Sequence, residues 1–304
     1  KRDSEDNPLS IIRSVKGNHA RGTQNRRQAE DIIEIIKQLK DSYEDIGIIA
    51  PYRAQAALIS SLLQENNLPK YPVSTVHKFQ GRENDVIILS TVNNEIQEFI
   101  DDPHLLNVAV SRAKKKFILA ITGNDIADSN IRDLVDYITY YNGEVKESQI
   151  CSIFDILYKQ YAEERIKFIQ SRTSVSQYES ENIMFALLDD IISTPEWNHL
   201  GIMLQYPLRL LVKSDALLTE NEKEYTNRSW TLVDFVLYNK TTKLPVLAIE
   251  VDGMAFHKSG SEQSKRDAFK NAALEKAHIP LLRLSTDGSN EREKIINALS
   301  KQKD

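Results

Sequence analysis

Three carboxylates in the second half of the chain have a spacing that could hold a metal ion. Asp234 interrupts the apolar run Thr231-Leu232-Val233-Asp234-Phe235-Val236, and Glu250 and Asp252 follow in Leu247-Ala248-Ile249-Glu250-Val251-Asp252-Gly253. Period-two spacing puts Glu250 and Asp252 on one face of an extended strand. Carboxylates set into apolar runs are costly unless a cation lies between them. Mg²⁺, or Mn²⁺ in its place, takes a few carboxylates plus waters, activates water and offsets charge at a phosphate. Asp234, Glu250 and Asp252 are therefore the candidate metal ligands.

Two strand-and-helix systems must position these groups, giving an α/β fold class. Ile46–Ala50, Val86–Ser90 and Phe117–Ile121 are short apolar runs alternating with helical patterns. Runs apolar on both faces fit a parallel sheet covered on both sides. From Asp136 to Cys151 the chain turns polar and aromatic, with Asn142-Gly143 as a turn signal. The boundaries expected are 1–145 for the first domain, 146–175 for a helical linker and 176–304 for the second domain. In the second domain, Trp230–Tyr238 and Pro245–Val251 read as paired strands across Asn239-Lys240-Thr241-Thr242. A charged helix from Ser261 leads into a strand over Pro280–Leu284.

Three segments of the first half carry a family resemblance. Ile48-Ile49-Ala50-Pro51-Tyr52-Arg53-Ala54-Gln55 resembles helicase motif IV. Ser74-Thr75-Val76-His77-Lys78-Phe79-Gln80-Gly81-Arg82-Glu83-Asn84-Asp85-Val86 resembles motif V. Leu106-Asn107-Val108-Ala109-Val110-Ser111-Arg112-Ala113-Lys114 resembles motif VI. In this order they resemble the second RecA-like domain of superfamily 1 helicases, nearest the branch of the nonsense-mediated-decay RNA helicases. Asn25-Arg26-Arg27-Gln28-Ala29-Glu30 resembles the entry to that domain's first helix. The resemblance implies that Arg112 is an arginine finger and Arg53 a second phosphate contact. It places Tyr52 near base and sugar, and Glu83 on the nucleotide side. Gln80 and Gly81 would form the coupling turn, and Ser74, Thr75 and His77 would touch the nucleic-acid backbone. No Gly-x-x-x-x-Gly-Lys-Ser/Thr phosphate loop occurs in the chain. The ATP implied here therefore needs a first RecA-like domain supplied from outside these residues.

The second half resembles the restriction-endonuclease-like, PD-(D/E)xK superfamily, in the branch related to very-short-patch-repair endonucleases. The resemblance rests on the Asp234 strand, the Glu250-Val251-Asp252-Gly253 strand, His257, the helix Asp267-Ala268-Phe269-Lys270 and the strand Ile279–Arg283. Glu181 matches the N-terminal Glu of that pattern. It implies a catalytic set of Asp234, Glu250, Asp252, Lys270, His257 and Glu181. The family's lysine two residues after the Glu is replaced here by Asp252, so Lys270 or Lys265 would supply the cation from the neighbouring helix.

The chain has 304 residues, 41% hydrophobic, consistent with two domains of roughly 150 residues. Its single cysteine, Cys151, excludes an intramolecular disulfide framework and a multi-cysteine zinc site. A formal charge of −5 argues against a nonspecific nucleic-acid coat. No apolar run approaches the roughly 20 residues of a membrane span, so a cytoplasmic location is expected. The first residue is Lys1 rather than Met, and a piece of a longer protein is expected. The expected function is a helicase–nuclease acting on nucleic acid, DNA before RNA, in repair or in defence against foreign DNA. The alternative is a non-catalytic binding or regulatory module with a degenerate nuclease fold.

Overall fold

The computed structural model describes residues 7–79, 81–158, 161–212, 218–253 and 262–302, leaving aside the side chains of 169 and 262–265. The chain divides into two units, Lys1–Cys151 and Ser152–Asp304.

The first unit opens with β1 (Leu9–Arg13), a short hairpin of β2 (Ala20–Arg21) and β3 (Gln24–Asn25), and α1 (Arg26–Leu39). Asn25 caps α1, its side chain accepting from the Gln28 N–H at 3.0 Å. Ala29, Ile32, Ile33 and Ile36 recur at helical spacing and are buried. Then come β4 (Ile46–Ala50), α2 (Arg53–Glu65), β5 (Val73–Thr75), a 3₁₀ turn at Val76–Phe79 and β6 (Asn84–Ser90). The unit ends with α3 (Pro103–Ser111), β7 (Ala113–Ile121), α4 (Asn130–Tyr140) and β8 (Glu144–Glu147). The six strands pair in the order β5-β4-β6-β7-β1-β8, all parallel.

Side-chain alternation splits this sheet between two cores. Ile49, Ile87, Leu89, Phe117 and Leu119 pack with Leu105 and Ala109 of α3 and Ile131 and Val135 of α4. Ile46, Ile48, Val86, Ile88 and Ile118 pack with Ile32 and Ile36 of α1 and Ile59 and Leu62 of α2. The continuous apolar runs of β4, β6 and β7 are thus explained by helices on both faces.

The second unit opens with a 3₁₀ turn at Ile153–Leu157, where Ser152 and Asp155 form a capping box and Phe154 enters the core. It continues through α5 (Ala162–Gln170), α6 (Glu179–Ile192), β9 (Leu200–Pro207), α7 (Leu208–Leu211) and α8 (Glu220–Asn227). β10 (Leu232–Asn239), β11 (Pro245–Asp252), α9 (Glu262–Lys276), β12 (Leu281–Ser285) and α10 (Glu291–Ser300) complete it. The sheet order is β12-β11-β10-β9, with β11 parallel to β12 and antiparallel to β10, and β10 antiparallel to β9. Phe235, Leu237, Leu247 and Ile249 pack against Met184 and Leu188 of α6 and Ile295 and Leu299 of α10. Val236 and Ala248 share the other core with Tyr225 of α8 and Ala273 and Leu274 of α9. The stretch expected as a helical linker over 146–175 contains this 3₁₀ turn and α5. No helix among the described residues is long and apolar enough to cross a membrane.

Candidate active site

The second unit brings its acidic groups together where two strands part. The β10–β11 ladder runs from Tyr238 to Phe235↔Ile249, its last recorded pair. Asp234 comes next on β10, and its Oδ2 accepts from the Val251 N–H at 2.8 Å. On β11, Glu250 shares the face of Ala248, which packs against α9. Lys270 lies on α9 three and four residues before the buried Ala273 and Leu274, so it points to the same sheet face. Its Nζ donates to Glu250 Oε2 at 2.8 Å and to the Leu232 carbonyl at 2.8 Å. Both partners are almost enclosed, with side-chain exposures of 11% and 8%.

Charge in this site is poorly compensated. Glu250 Oε1 is buried and has no hydrogen-bond partner among the described residues. Burial pushes the Glu250 carboxyl up to about 7, the attraction of Lys270 notwithstanding, and Asp234 adds to the rise. Burial also raises Asp234, with Glu181 adding to the effect and the Val251 N–H opposing it. Two carboxyls raised by burial thus lie beside a buried ammonium.

Asp252 has a cationic partner of its own. Arg283, opposite Glu250 in the β11–β12 register, donates to Asp252 Oδ1 at 3.0 Å and also contacts Asp267 and Asn271. Of the expected ligands Asp234, Glu250 and Asp252, the strand presents Glu250 and Asp252 on one face, and Asp252 is the one paired with a neighbouring guanidinium. Among the described residues no three His, Cys, Asp or Glu side chains converge as a metal cage. Glu181, in the first turn of α6, accepts from Gln205 Nε2 at 2.9 Å. His257 lies outside the described residues, as does the side chain of Lys265. Sequence reasoning missed Gln205 and the roles of Arg283 and Asp267. Arg283 sits in a strand already singled out, but its diagonal to Asp252 follows from the register of β11 on β12.

In the first unit the expected nucleotide contacts fall at opposite ends of the parallel sheet. Tyr52 and Arg53 follow the carboxyl end of β4; Ser74 and Thr75 close β5, where Thr75 pairs with Ala50, and His77 lies in the 3₁₀ turn after it. Gly81 and Glu83 precede β6, and Arg112 precedes β7, its carbonyl accepting from the Asn84 N–H at 3.0 Å. The seven residues of β6 separate these ends by about 20 Å. Arg53 and Arg112 thus stand at different ends of the sheet.

Each end has its own support. Tyr52 is half-buried and stacks on Phe99 with ring centroids 5.7 Å apart, while its hydroxyl faces Asn93 Oδ1 at 3.4 Å. The loop carrying Asn93 is held by Val92, whose N–H donates to Gln28 Oε1 and whose carbonyl accepts from Asn25 Nδ2, both at 2.8 Å. Val92 is fully buried at φ 68°, an unusual backbone for a β-branched residue. At the other end, Gly81 makes its turn at φ 81°, Glu83 is exposed, and Arg112 contacts Ser111 Oγ at 3.1 Å. Neither Arg53 nor Arg112 forms an ion pair among the described residues. Gln80 lies outside the described residues.

Comparison with known proteins divides along the same line. Residues 6–125 match the AAA domain family AAA_12, and residues 176–302 match DUF2726, described as a protein of unknown function. An uncharacterized ATP-dependent helicase of Methanocaldococcus jannaschii is 41% identical over 95 residues, 31% of this chain and 14% of that protein. The DNA replication ATP-dependent helicase/nuclease DNA2 of Bos taurus is 46% identical over 79 residues, 25% of this chain and 7% of that protein. Its counterpart JHS1 of Arabidopsis thaliana is 34% identical over 120 residues, 36% of this chain and 9% of that protein. This chain thus spans a small part of the length of these relatives. A solved C-terminal domain of a possible DNA helicase from Lactobacillus plantarum WCFS1 aligns at 15% identity and a TM-score of 0.34, over 47% of this chain and 86% of that one. The chain is helicase-like in sequence over residues 6–125 and similar to a family without assigned function over 176–302.

Proposed function

We propose that the second unit hydrolyses phosphodiester bonds with the help of a divalent cation, and that the first unit is one half of an ATP-driven motor acting on the same nucleic acid. The observation that carries the nuclease reading is the buried Lys270–Glu250 pair beside Asp234, with Glu250 Oε1 left without a partner. An oxygen desolvated in this way is stabilised by a cation, and the two carboxylates fit Mg²⁺ or Mn²⁺. Asp234 and Glu250 are the residues that would hold it. When bound, the ion supplies a polarised water and offsets charge on the scissile phosphate. Lys270 favours the ionised form of Glu250 and brings a positive charge to the edge of the site. Its position on α9 takes over from the family lysine, which Asp252 replaces.

For the first unit, the sheet geometry supports a division of labour. Arg112, with Glu83 and Gly81, faces a nucleotide whose phosphate loop belongs to another domain. Tyr52 and Arg53, with Ser74, Thr75 and His77, face the nucleic-acid strand. The helicase relatives support ATP as the fuel, and the helicase/nuclease relatives named for DNA replication favour DNA over RNA.

The test is cleavage of single- and double-stranded DNA by the 304-residue chain with Mg²⁺ or Mn²⁺. Cleavage is expected in the parent and absent from Asp234→Ala and Glu250→Ala, with Lys270→Ala reduced by at least about 100-fold. DNA binding without metal-dependent cleavage would establish the degenerate module instead, and full activity in both carboxylate variants would refute the site.

A further inference from the structure

We infer that Gln205 is a positioning residue of this site, held in a strained backbone so that its carboxamide fixes Glu181 beside Asp234. The inference rests on the nuclease reading above and assigns a residue that neither the motif pattern nor the charge pattern singles out.

Three independent observations meet at Gln205. First, β9 pairs with β10 through Val233↔Tyr206 and Phe235↔Leu204, which sets Gln205 directly opposite Asp234. The ladder is recorded on both sides of this pair and not at it. Second, Gln205 has φ 45°, in the left-handed region, within a strand and in a residue with a Cβ. Glycine adopts that backbone freely, whereas a non-glycine residue there is strained and tends to mark function. Third, the side chain placed by this kink donates from Nε2 to Glu181 Oε2 at 2.9 Å.

The chemistry follows from what Glu181 would do without it. Glu181 is half-buried, comes from α6 rather than from the strands, and repels Asp234 electrostatically. Left alone, the two carboxylates separate. A neutral amide donor holds Glu181 close while leaving its charge intact, which a lysine or arginine would neutralise. Glu181 then stays within electrostatic reach of Asp234, which neighbours Glu250, although the three do not close into a metal cage. Asp252, by contrast, is paired with Arg283. Gln205 thus sustains the negative charge that draws in the cation, without touching substrate or ion itself.

The discriminating variants are Gln205→Gly and Gln205→Ala in the full chain. Gln205→Gly relieves the backbone and removes the amide, so it is expected to melt no lower than the parent while losing function. Its Mn²⁺ concentration for half-maximal thermal stabilisation should rise about 10- to 100-fold, as for other residues that orient ligands. DNA cleavage should fall by a similar factor in kcat with KM little changed. Gln205→Ala keeps the strain and should show the same functional loss with a lower melting temperature. In a double-mutant cycle with Glu181→Gln, the losses should be strongly non-additive.

A parent that cleaves DNA and gains melting temperature from Mn²⁺, with Gln205→Gly behaving identically, would overturn the role of Gln205 and leave the nuclease reading standing. Additive losses with Glu181→Gln would overturn it as well, because the effect would not pass through Glu181. A parent that neither cleaves nor responds to Mn²⁺ would overturn both readings together.

Discussion

At the residue scale, the chemistry of the second unit turns on how Glu250 is charged. Its carboxyl is raised from 4.5 to about 7, chiefly by burial. The folded state therefore binds a proton between these values more readily than the unfolded state. The associated stability is complete below about pH 4.5 and is lost as the pH rises through about 7. That loss amounts to roughly 3 kcal/mol for a shift of this size. Lys270 limits the cost by pairing with the ionised form. In Lys270→Met, ionised Glu250 would be buried without a cation, and about 3 kcal/mol of stability should be lost at pH 8. At pH 5.5, where Glu250 carries its proton, the loss should be markedly smaller. Urea unfolding at the two pH values measures the difference, and equal losses would refute the charge assignment. This level was only partly legible in the sequence. Asp234 and Glu250 stand out because carboxylates in apolar runs are rare, but nothing in one dimension chooses Lys270 over Lys265. The diversion of Asp252 to Arg283 needs the register of β11 on β12, which a single sequence does not contain.

At the element scale, the strands that were legible are those buried on both faces. β4, β6 and β7 announce themselves as apolar runs, as do β10 and β11, and the edge strand β12 is legible through its leucines Leu281, Leu282 and Leu284. Other edge strands escaped. β8 reads Glu-Val-Lys-Glu because one neighbour and a solvated flank impose no apolar pattern, and β5 has just three residues. β9 escaped as well, although its pairing places Gln205 opposite Asp234. Within the buried strands, packing is close enough to test. Gly47 lies in β4 next to β6, and a methyl group there would meet Asn84 Oδ1 at 2.7 Å and Ile87 Cδ1 and Phe79 Cε1 at 2.9 Å. These neighbours are themselves enclosed, so they cannot yield cheaply. Gly47→Ala is expected to destabilise the first unit by about 1–3 kcal/mol, the usual cost of overpacking a core. Chemical denaturation followed by far-UV circular dichroism would register it, and a neutral substitution would mean that β4 and β6 are less tightly opposed than described. The site should feel this change too, because Phe79 and Asn84 flank the turn containing Gly81 and Glu83.

At the scale of the whole molecule, the proposed motor reading gives the first unit one wall of an ATP site. The chain contains no phosphate loop, so Arg112 has a γ-phosphate to stabilise solely when another domain presents it. The 304-residue chain is accordingly expected to show no ATP turnover above buffer. In a longer polypeptide that includes a phosphate-loop domain, Arg112→Ala should lower kcat by about 10³-fold or more, as for other arginine fingers. Arg112→Lys should not restore it, since an ammonium lacks the planar, delocalised charge of the guanidinium. Arg53 separates this reading from the one the motifs suggested. It stands about 20 Å of sheet away from Arg112, on the side of Ser74, Thr75 and His77. Arg53→Ala should therefore raise the single-stranded DNA concentration needed for half-maximal ATP turnover and reduce the salt dependence of binding by about one phosphate contact. If Arg53→Ala at saturating DNA instead lost turnover as deeply as Arg112→Ala, the two guanidinium groups would serve one nucleotide. The division of the sheet into a nucleotide end and a nucleic-acid end would then be wrong.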